Sequence, residues 1–339
     1  MKIKMLAAAA ACALTGAAMA QSNTTIYGVI DINYANYSGS GGKDMAAIDP
    51  GGISGSRLGF KGSEDLGNGL KAIYTFEFGS LKNDINSGIT GSRQSFVGLQ
   101  GNWGTLIGGY IYSPADDMNS GFDGLSNSAL LSARSNMLND GGFSTKTDDT
   151  FENAIGYISP TVNGLTLRAV FGLGEQTAGA KERKYAVAAE YENGPFKATG
   201  IYHYVDNKVG VVPQTDQREV GLGVGYDFGV AKLLATYASK RLTDADRDNT
   251  WALGAHIPAG RGSVRLSYAR LNMADDNGDK DAAGWTVAYF YDLSKRTTLY
   301  TGYHALDNGS NANYNHERLT GLATGSNARL FALGIRHKF

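Results

Sequence analysis

The feature that most constrains this 339-residue chain is an alternation of apolar and polar side chains at period two, which recurs from Ile26 to the last residue. Ile26, Gly28, Ile30, Ile32 and Tyr34 fall on one side of an extended segment, and Tyr27, Asp31 and Asn33 on the other. Leu58 and Phe60 alternate with Arg57, Lys61 and Ser63. After the turn Gly67-Asn68-Gly69, Leu70, Ala72, Tyr74, Phe76 and Phe78 alternate with Lys71, Thr75 and Glu77. Successive strand side chains point to opposite faces, so these are two-faced β-strands. The same period runs through segments starting at Leu165, Tyr185, Val220, Trp251, Trp285 and Phe331.

Two kinds of connection alternate between the strands. The short ones include Gly67-Asn68-Gly69, Asn102-Trp103-Gly104, Asn163-Gly164, Asn193-Gly194-Pro195 and Ala259-Gly260, which suit tight hairpins. The long ones are polar and span 38–55, 80–91, 113–150, 174–184, 205–218, 242–249, 272–282 and 306–327. Seven short turns and eight long loops join sixteen strands. No stretch of helical period could cover a sheet, and no linker divides the chain. Sixteen apolar faces therefore lack a second layer, and an exposed patch of that size would aggregate in water. Lipid is the remaining partner. In lipid every backbone N–H and C=O must pair internally, so the sheet must close on itself. The expectation is an all-β fold: a transmembrane antiparallel 16-stranded β-barrel with Tyr and Trp near the strand ends as interfacial girdles. Such a barrel is too wide for side chains to fill and encloses water. The competing fold, a soluble sandwich or solenoid, would need two covered faces or a stacked core.

Composition fits this reading and narrows the function. There are 46 Gly, 19 Tyr and 13 Phe against 6 Pro, while the mean hydropathy is −0.25. Lys2 and Lys4 precede an apolar run that ends at Ala18-Met19-Ala20, the pattern of a cleaved secretory signal. We expect a signal peptide over 1–20 and one barrel domain over 21–339. The only cysteine, Cys12, leaves with the signal, so no disulfide framework is available. Without the signal the formal charge is −3, not the basic balance of a nucleic-acid binder. The five histidines show no metal-ligand spacing. The segment Asp275–Asp281 resembles a calcium loop but lacks Gly at its sixth position and Glu at its twelfth. No cofactor and no metal are expected.

Several stretches together resemble one family. Ser56–Ala72, Thr25–Ile32 ("TIYGVIDI"), Arg93–Leu106 ("RQSFVGLQGNWGTL"), Tyr157–Pro160 ("YISP") and the ending Gly334–Phe339 are similar to the trimeric general porins of Gram-negative bacteria, above all their β-proteobacterial branch. The resemblance covers the whole chain after the signal. It implies a homotrimer in the outer membrane, surrounded by lipid and lipopolysaccharide, with a third external loop folded inward to narrow the pore. It also implies passive passage of small hydrophilic solutes and ions without enzymatic activity. By the same resemblance, the terminal Phe339 is the signal read by the barrel assembly machinery.

Charge in a narrow bore sets ion preference. The 113–150 segment carries Asp116, Asp117 and Asp123. Arg57, Lys61 and Arg93 stand on early strands at inward parity, and Arg57 and Arg93 match arginines of the family's constriction. Glu152 is also at inward parity. Two readings stay open for the arginines: they set a transverse field, or they pin the loop through salt bridges. Two departures bear on selectivity. Gly109-Tyr110-Ile111 and Thr150-Phe151-Glu152-Asn153 stand where relatives often carry an arginine, which puts the family's anion preference in doubt. A barrel enzyme and a solute-specific channel are the alternatives. The first needs a catalytic set at one rim, and the second needs aromatics down the bore.

Overall fold

The strands form one antiparallel sheet in which the last strand is hydrogen-bonded to the first. The computed structural model describes residues 23–40, 43–79, 92–137, 150–173, 176–177, 180–209, 216–243, 246–274, 279–316, 318–319 and 321–339. The expected signal peptide and the core of the calcium-like stretch, 275–278, lie outside them. In chain order the strands are β1 (Asn23–Gly39), β2 (Lys43–Pro50), β3 (Arg57–Gly67), β4 (Leu70–Phe78), β5 (Ser92–Gly101), β6 (Gly104–Tyr112), β7 (Thr150–Ile158), β8 (Leu165–Gly172) and β9 (Gln176–Thr177). Then follow β10 (Ala180–Asn193), β11 (Phe196–Val209), β12 (Gln217–Asp227), β13 (Lys232–Leu242), β14 (Arg247–Ala259), β15 (Gly262–Asn272), β16 (Ala282–Asp292), β17 (Thr297–Asn308) and β18 (Ala328–Lys338). Among the described residues one helix, α1 (Pro114–Gly121), follows β6.

These segments make sixteen staves. β2 and β3 pair with the upper and lower halves of β1 and form one stave interrupted at 51–56. β9 pairs only with the first residues of β10. The ring closes where β1 pairs with β18 from Val29↔Lys338 to Gly39↔Ala328. Gly28 and Phe339 exchange two backbone hydrogen bonds of 3.1 Å at the end of that seam. The ring of Phe339 lies over Gly28, in the space a Cβ there would take.

Outward positions are apolar and bare: Ile26 is 60 % exposed, Val97 64 % and Leu253 54 %. The tight turns use left-handed backbone, as Asn163 (φ 51°) and Gly164 (φ 85°) show, the geometry that matches hairpin twist. Several segments that read as long loops are instead paired strand. The 38–55 stretch is mostly a β1–β2 ladder, and 205–218 and 174–184 also contain strand. These staves run on beyond the apolar band, where their residues turn polar, so composition alone reads them as loop.

The segment after β6 does not stay at the rim. Gly121 accepts from Lys197 of β11. His256 Nε2 of β14 donates to the Gly124 carbonyl at 2.7 Å, and Thr286 Oγ1 of β16 donates to the Leu131 carbonyl at 2.6 Å. Ser128 Oγ donates to the Gly52 carbonyl at 2.7 Å, in the break between β2 and β3. One body that touches strands this far around a closed ring can do so only from within. Its apolar residues, Leu125, Leu130, Leu131 and Met137, are buried with the inward Ala252, Ala269, Phe290 and Tyr300 of the wall. Asp31 anchors the break opposite: its Oδ2 accepts the N–H groups of Ile53 (3.0 Å) and Ser54 (2.8 Å), and its Oδ1 accepts the Tyr300 hydroxyl at 2.6 Å.

This packing makes two outcomes measurable. Deleting Phe339 removes both seam hydrogen bonds and the ring over Gly28. Folded barrel in the outer-membrane fraction should fall several-fold, and wild-type surface levels would contradict that role. A Cβ at Gly254 would stand 2.6 Å from the backbone of Gly124, and overpacking of this kind costs about 1–3 kcal/mol. Gly254→Leu should therefore expose residues 113–137 of the folded barrel to protease, with strand content by circular dichroism unchanged; full protection would show that the loop is held elsewhere.

Candidate channel constriction

Helix α1 carries the acidic side of the site. Ser113 caps it, its Oγ accepting from Ala115 N–H at 3.1 Å, and Pro114 holds the first position. Asp116 and Asp117 occupy the first turn, where the helix dipole favours negative charge. Asp117 is 56 % exposed and forms an ion pair with Arg168 of β8. Arg168 also reaches Glu190 Oε1 of β10 at 3.1 Å. Asp116 is half-buried among Asp117, Arg93, Arg57 and Arg168, and its carboxyl is pushed up to about 6, first by desolvation and then by the neighbouring charge of Asp117.

The basic side lies on β3 to β6. Tyr27, Gly59 and Glu77 are direct cross-strand neighbours. Glycine at 59 leaves room for the Tyr27 ring, whose phenol crosses β3 and donates to Glu77 Oε1 at 2.7 Å. Glu77 Oε2 accepts from Arg93 Nε at 3.1 Å, and the Arg93 guanidinium lies 5.2 Å from the centre of the Tyr112 ring. A register shift between Phe76 and Phe78 brings the start of β5 opposite Glu77. Arg57 sits in the same group, with Arg93, Glu77, Tyr112 and Tyr27 as its charged or ionisable neighbours. Lys61 stands one step nearer the short-turn rim, 5.0 Å over the Tyr27 ring.

The expected residues therefore separate. Arg57, Arg93, Asp116 and Asp117 come together. The pairing differs in detail from a simple face-off, because Arg93 is held by its own wall and the loop acid Asp117 is held by Arg168. Asp123 is placed elsewhere: it is 2 % exposed, and its Oδ2 accepts the N–H groups of Leu125 (3.1 Å) and Asn127 (2.8 Å). It shapes the loop and does not present charge to the bore. Glu152 is not brought to the group either. Ile111 pairs with Phe151 and Gly109 with Ala154, so Glu152 and Asn153 together oppose Tyr110. Asn153 takes φ 45° in this bulge, and the extra residue breaks the parity on which the inward placement of Glu152 rested.

A second basic surface is visible only in three dimensions. Lys197, Lys232, His256, Arg265, Arg336 and Lys338 stand at inward parity near the short-turn ends of β11 to β18. Lys338 has Arg336, Arg57 and Arg265, together with the acid Asp292, as charged neighbours. Arg265 stacks 4.2 Å over the Phe290 ring and reaches Ser126 Oγ of the inner loop at 3.4 Å. Parity could have found each residue, but only closure of the ring makes them adjacent. Among the described residues, no group of three or more His, Cys, Asp or Glu side chains could hold a metal ion.

Comparison with known proteins agrees with this architecture. A family profile described as Gram-negative porin matches residues 7–337. Outer membrane porin protein 32 of Delftia acidovorans is 33% identical over 357 residues, covering 99% of each chain. A second outer membrane porin protein, from Bordetella pertussis, is 28% identical over 401 residues, covering 100% of each. Among solved structures, the anion-selective porin from Comamonas acidovorans superposes with a TM-score of 0.80 at 28% identity, over 94% of this chain and 100% of that one. The trimer form of OmpT from Vibrio cholerae shares the fold, with a TM-score of 0.69 at 15% identity over 94% of this chain and 99% of that one. The chain belongs to the Gram-negative porin family: it is a β-barrel of the bacterial outer membrane whose water-filled bore lets small hydrophilic solutes and ions pass passively.

Proposed function

We propose that this porin is a non-enzymatic, anion-preferring diffusion channel, assembled as a homotrimer by the barrel assembly machinery after cleavage following Ala20. The observation that carries the ionic preference is the inequality of charge along the bore. The Asp117 carboxylate is matched by Arg168, and Glu77 is matched by Arg93 and the Tyr27 phenol. Arg57 and the inward Lys197, Lys232, Arg265, Arg336 and Lys338 outnumber the acids set among them, Glu192, Asp227 and Asp292. Two family arginines are absent at Tyr110 and Phe151–Glu152, and the β11–β18 surface offsets their loss. The anion-selective Comamonas porin supports this sign, and the OmpT trimer supports the assembly.

Of the two readings left open for the arginines, the arrangement favours field-setting for Arg57 and Arg93, since loop pinning falls to Arg168. A unit charge about 7 Å from a permeating ion in water contributes about 0.6 kcal/mol, a factor of about 3 in that ion's local concentration. Arg57→Ala with Arg93→Ala should therefore move the reversal potential in a salt gradient towards cations, most clearly at low ionic strength where screening is weak. Unchanged potentials would leave the constriction charge elsewhere.

Protonation offers a second test. A carboxyl titrating at about 6 is negative above that pH and neutral below it. Lowering the pH from 7.5 to 5 thus removes one negative charge beside Arg57 and should shift selectivity towards anions, with a midpoint near pH 6. Asp116→Asn should be anion-shifted already at pH 7.5 and should lose that midpoint. A variant that keeps the wild-type pH profile would assign the titration to another group.

A further inference from the structure

Two histidines that the channel chemistry leaves unused lie ring against ring on the inner wall. Thr286 of β16, His304 of β17, Leu330 of β18 and Tyr37 of β1 are successive cross-strand neighbours and make one inward row. His316, from the connection between β17 and β18, covers this row. Its ring centre lies 4.9 Å from that of His304, edge to face, and 5.9 Å from that of Tyr37. Both histidines are buried, His304 at 0 % exposure and His316 at 2 %. The cations nearby are matched by acids: Arg329, a charged neighbour of His304, pairs with Asp307 at 2.6 Å, and Arg318 pairs with Asp49.

The hydrogen bonds fix where the lone pairs are. The Thr286 hydroxyl has one proton and donates it to the Leu131 carbonyl at 2.6 Å. Its 2.9 Å contact with His304 Nδ1 is therefore donated by the ring. A neutral imidazole with its proton on Nδ1 carries a lone pair on Nε2. That atom is buried with no hydrogen-bond partner among the described residues, and so are both ring nitrogens of His316. Unpartnered buried polar atoms are costly and call for a ligand. Burial pushes His316 down to about 4, so near neutral pH its ring also offers a lone pair. Two imidazoles bound to one tetrahedral zinc ion stand with ring centres about 5 Å apart, which is the spacing of this pair. The bond from His304 Nδ1 to Thr286 is the outer contact that orients a ligating ring and sets its tautomer. Imidazole suits copper, nickel and zinc, whereas calcium takes oxygen ligands. Asn315, next to His316 in the chain, lines a recess of about 310 Å³ with Asn311, Asn313 and Tyr314, an approach from the rim of the long connections.

We propose that His304 and His316 form a binding site for a divalent transition-metal ion, with water in the remaining coordination positions, and that the bound ion fastens the β17–β18 connection to the wall. The site is independent of the ion selectivity of the bore. The test uses the folded porin in mild detergent, without an affinity tag, with the chlorides of Cu²⁺, Ni²⁺, Zn²⁺ and Ca²⁺ as probes and titration calorimetry as the readout. Wild type should take up one Cu²⁺ per chain, at a site that Ni²⁺ and Zn²⁺ fill more weakly and Ca²⁺ does not fill. Electron paramagnetic resonance of the Cu²⁺ form should show coupling to two ring nitrogens. His316→Gln should bind Cu²⁺ at least about tenfold more weakly, while His337→Gln binds it as wild type does. Bound Zn²⁺ should slow tryptic cleavage after the exposed Arg318 in wild type and not in His316→Gln. Should His316→Gln fail to fold, the nitrogen coupling and the tryptic protection of wild type decide the matter. Undiminished binding by His316→Gln, no nitrogen coupling in wild type, or Ca²⁺ bound as tightly as Zn²⁺ would overturn the assignment and leave the two rings as packing alone.

Discussion

The whole structure depends on where the backbone finds its hydrogen bonds. A chain whose strands carry one continuous apolar face has no water along that face to satisfy an open sheet edge. Pairing β1 with β18 removes the last edge. Closure then fixes everything else. It assigns one parity to lipid and the other to the bore. It gathers the short turns at one rim and the long connections at the other. It also makes the terminal residue a structural one, since Phe339 bonds back to Gly28 beside the first full pair of the seam.

A closed ring of sixteen staves leaves an interior that its own side chains cannot fill, and the segment after β6 occupies part of it. That segment is held by many separate contacts with distant strands, not by one bond. Gly124 against Gly254, Leu131 against Thr286 and Ser128 against Gly52 fix it along its length. The charged groups around α1 are thereby held in place before any solute arrives. The consequence is electrostatic: Asp117 of the loop is matched by Arg168, while Arg57, Arg265, Arg336 and Lys338 of the wall lie close to one another.

Much of this was legible from residues alone, for a physical reason. Parity in a strand is local, so Ile26 to Tyr34 or Leu70 to Phe78 announce their faces without reference to any partner. The stave count, the turn positions and the inward direction of Arg57 follow from the same rule, whereas Arg93 shares the parity of the outward Val97 and reaches Glu77 only through the register shift between Phe76 and Phe78. What the sequence hides is what depends on neighbours far away in the chain. The polarity of 38–55 looked like a loop because a stave that leaves the apolar band loses its alternation. Parity alone turns Glu152 inward, because a bulge adds one residue without any mark in composition. Asp123 reads in the sequence like its neighbours Asp116 and Asp117, yet it serves the N–H groups of Leu125 and Asn127. Lys197, Arg265 and Arg336 are individually ordinary and become one surface only when eight strands curve around them.

In every strand one parity faces lipid and the other faces water. Cys12 is the only cysteine and lies in the expected signal, so single cysteines can be introduced into a thiol-free barrel. In β18, Leu333→Cys and Ile335→Cys place thiols outward, and Arg336→Cys and Lys338→Cys place them inward. In reconstituted bilayers, a membrane-impermeant, water-soluble maleimide should label the inward pair quickly and the outward pair hardly at all, with bilayer-embedded nitroxide quenching following the reverse order. Equal labelling of all four positions by the aqueous reagent would mean that the apolar face meets water, and the account of the fold would fail with it.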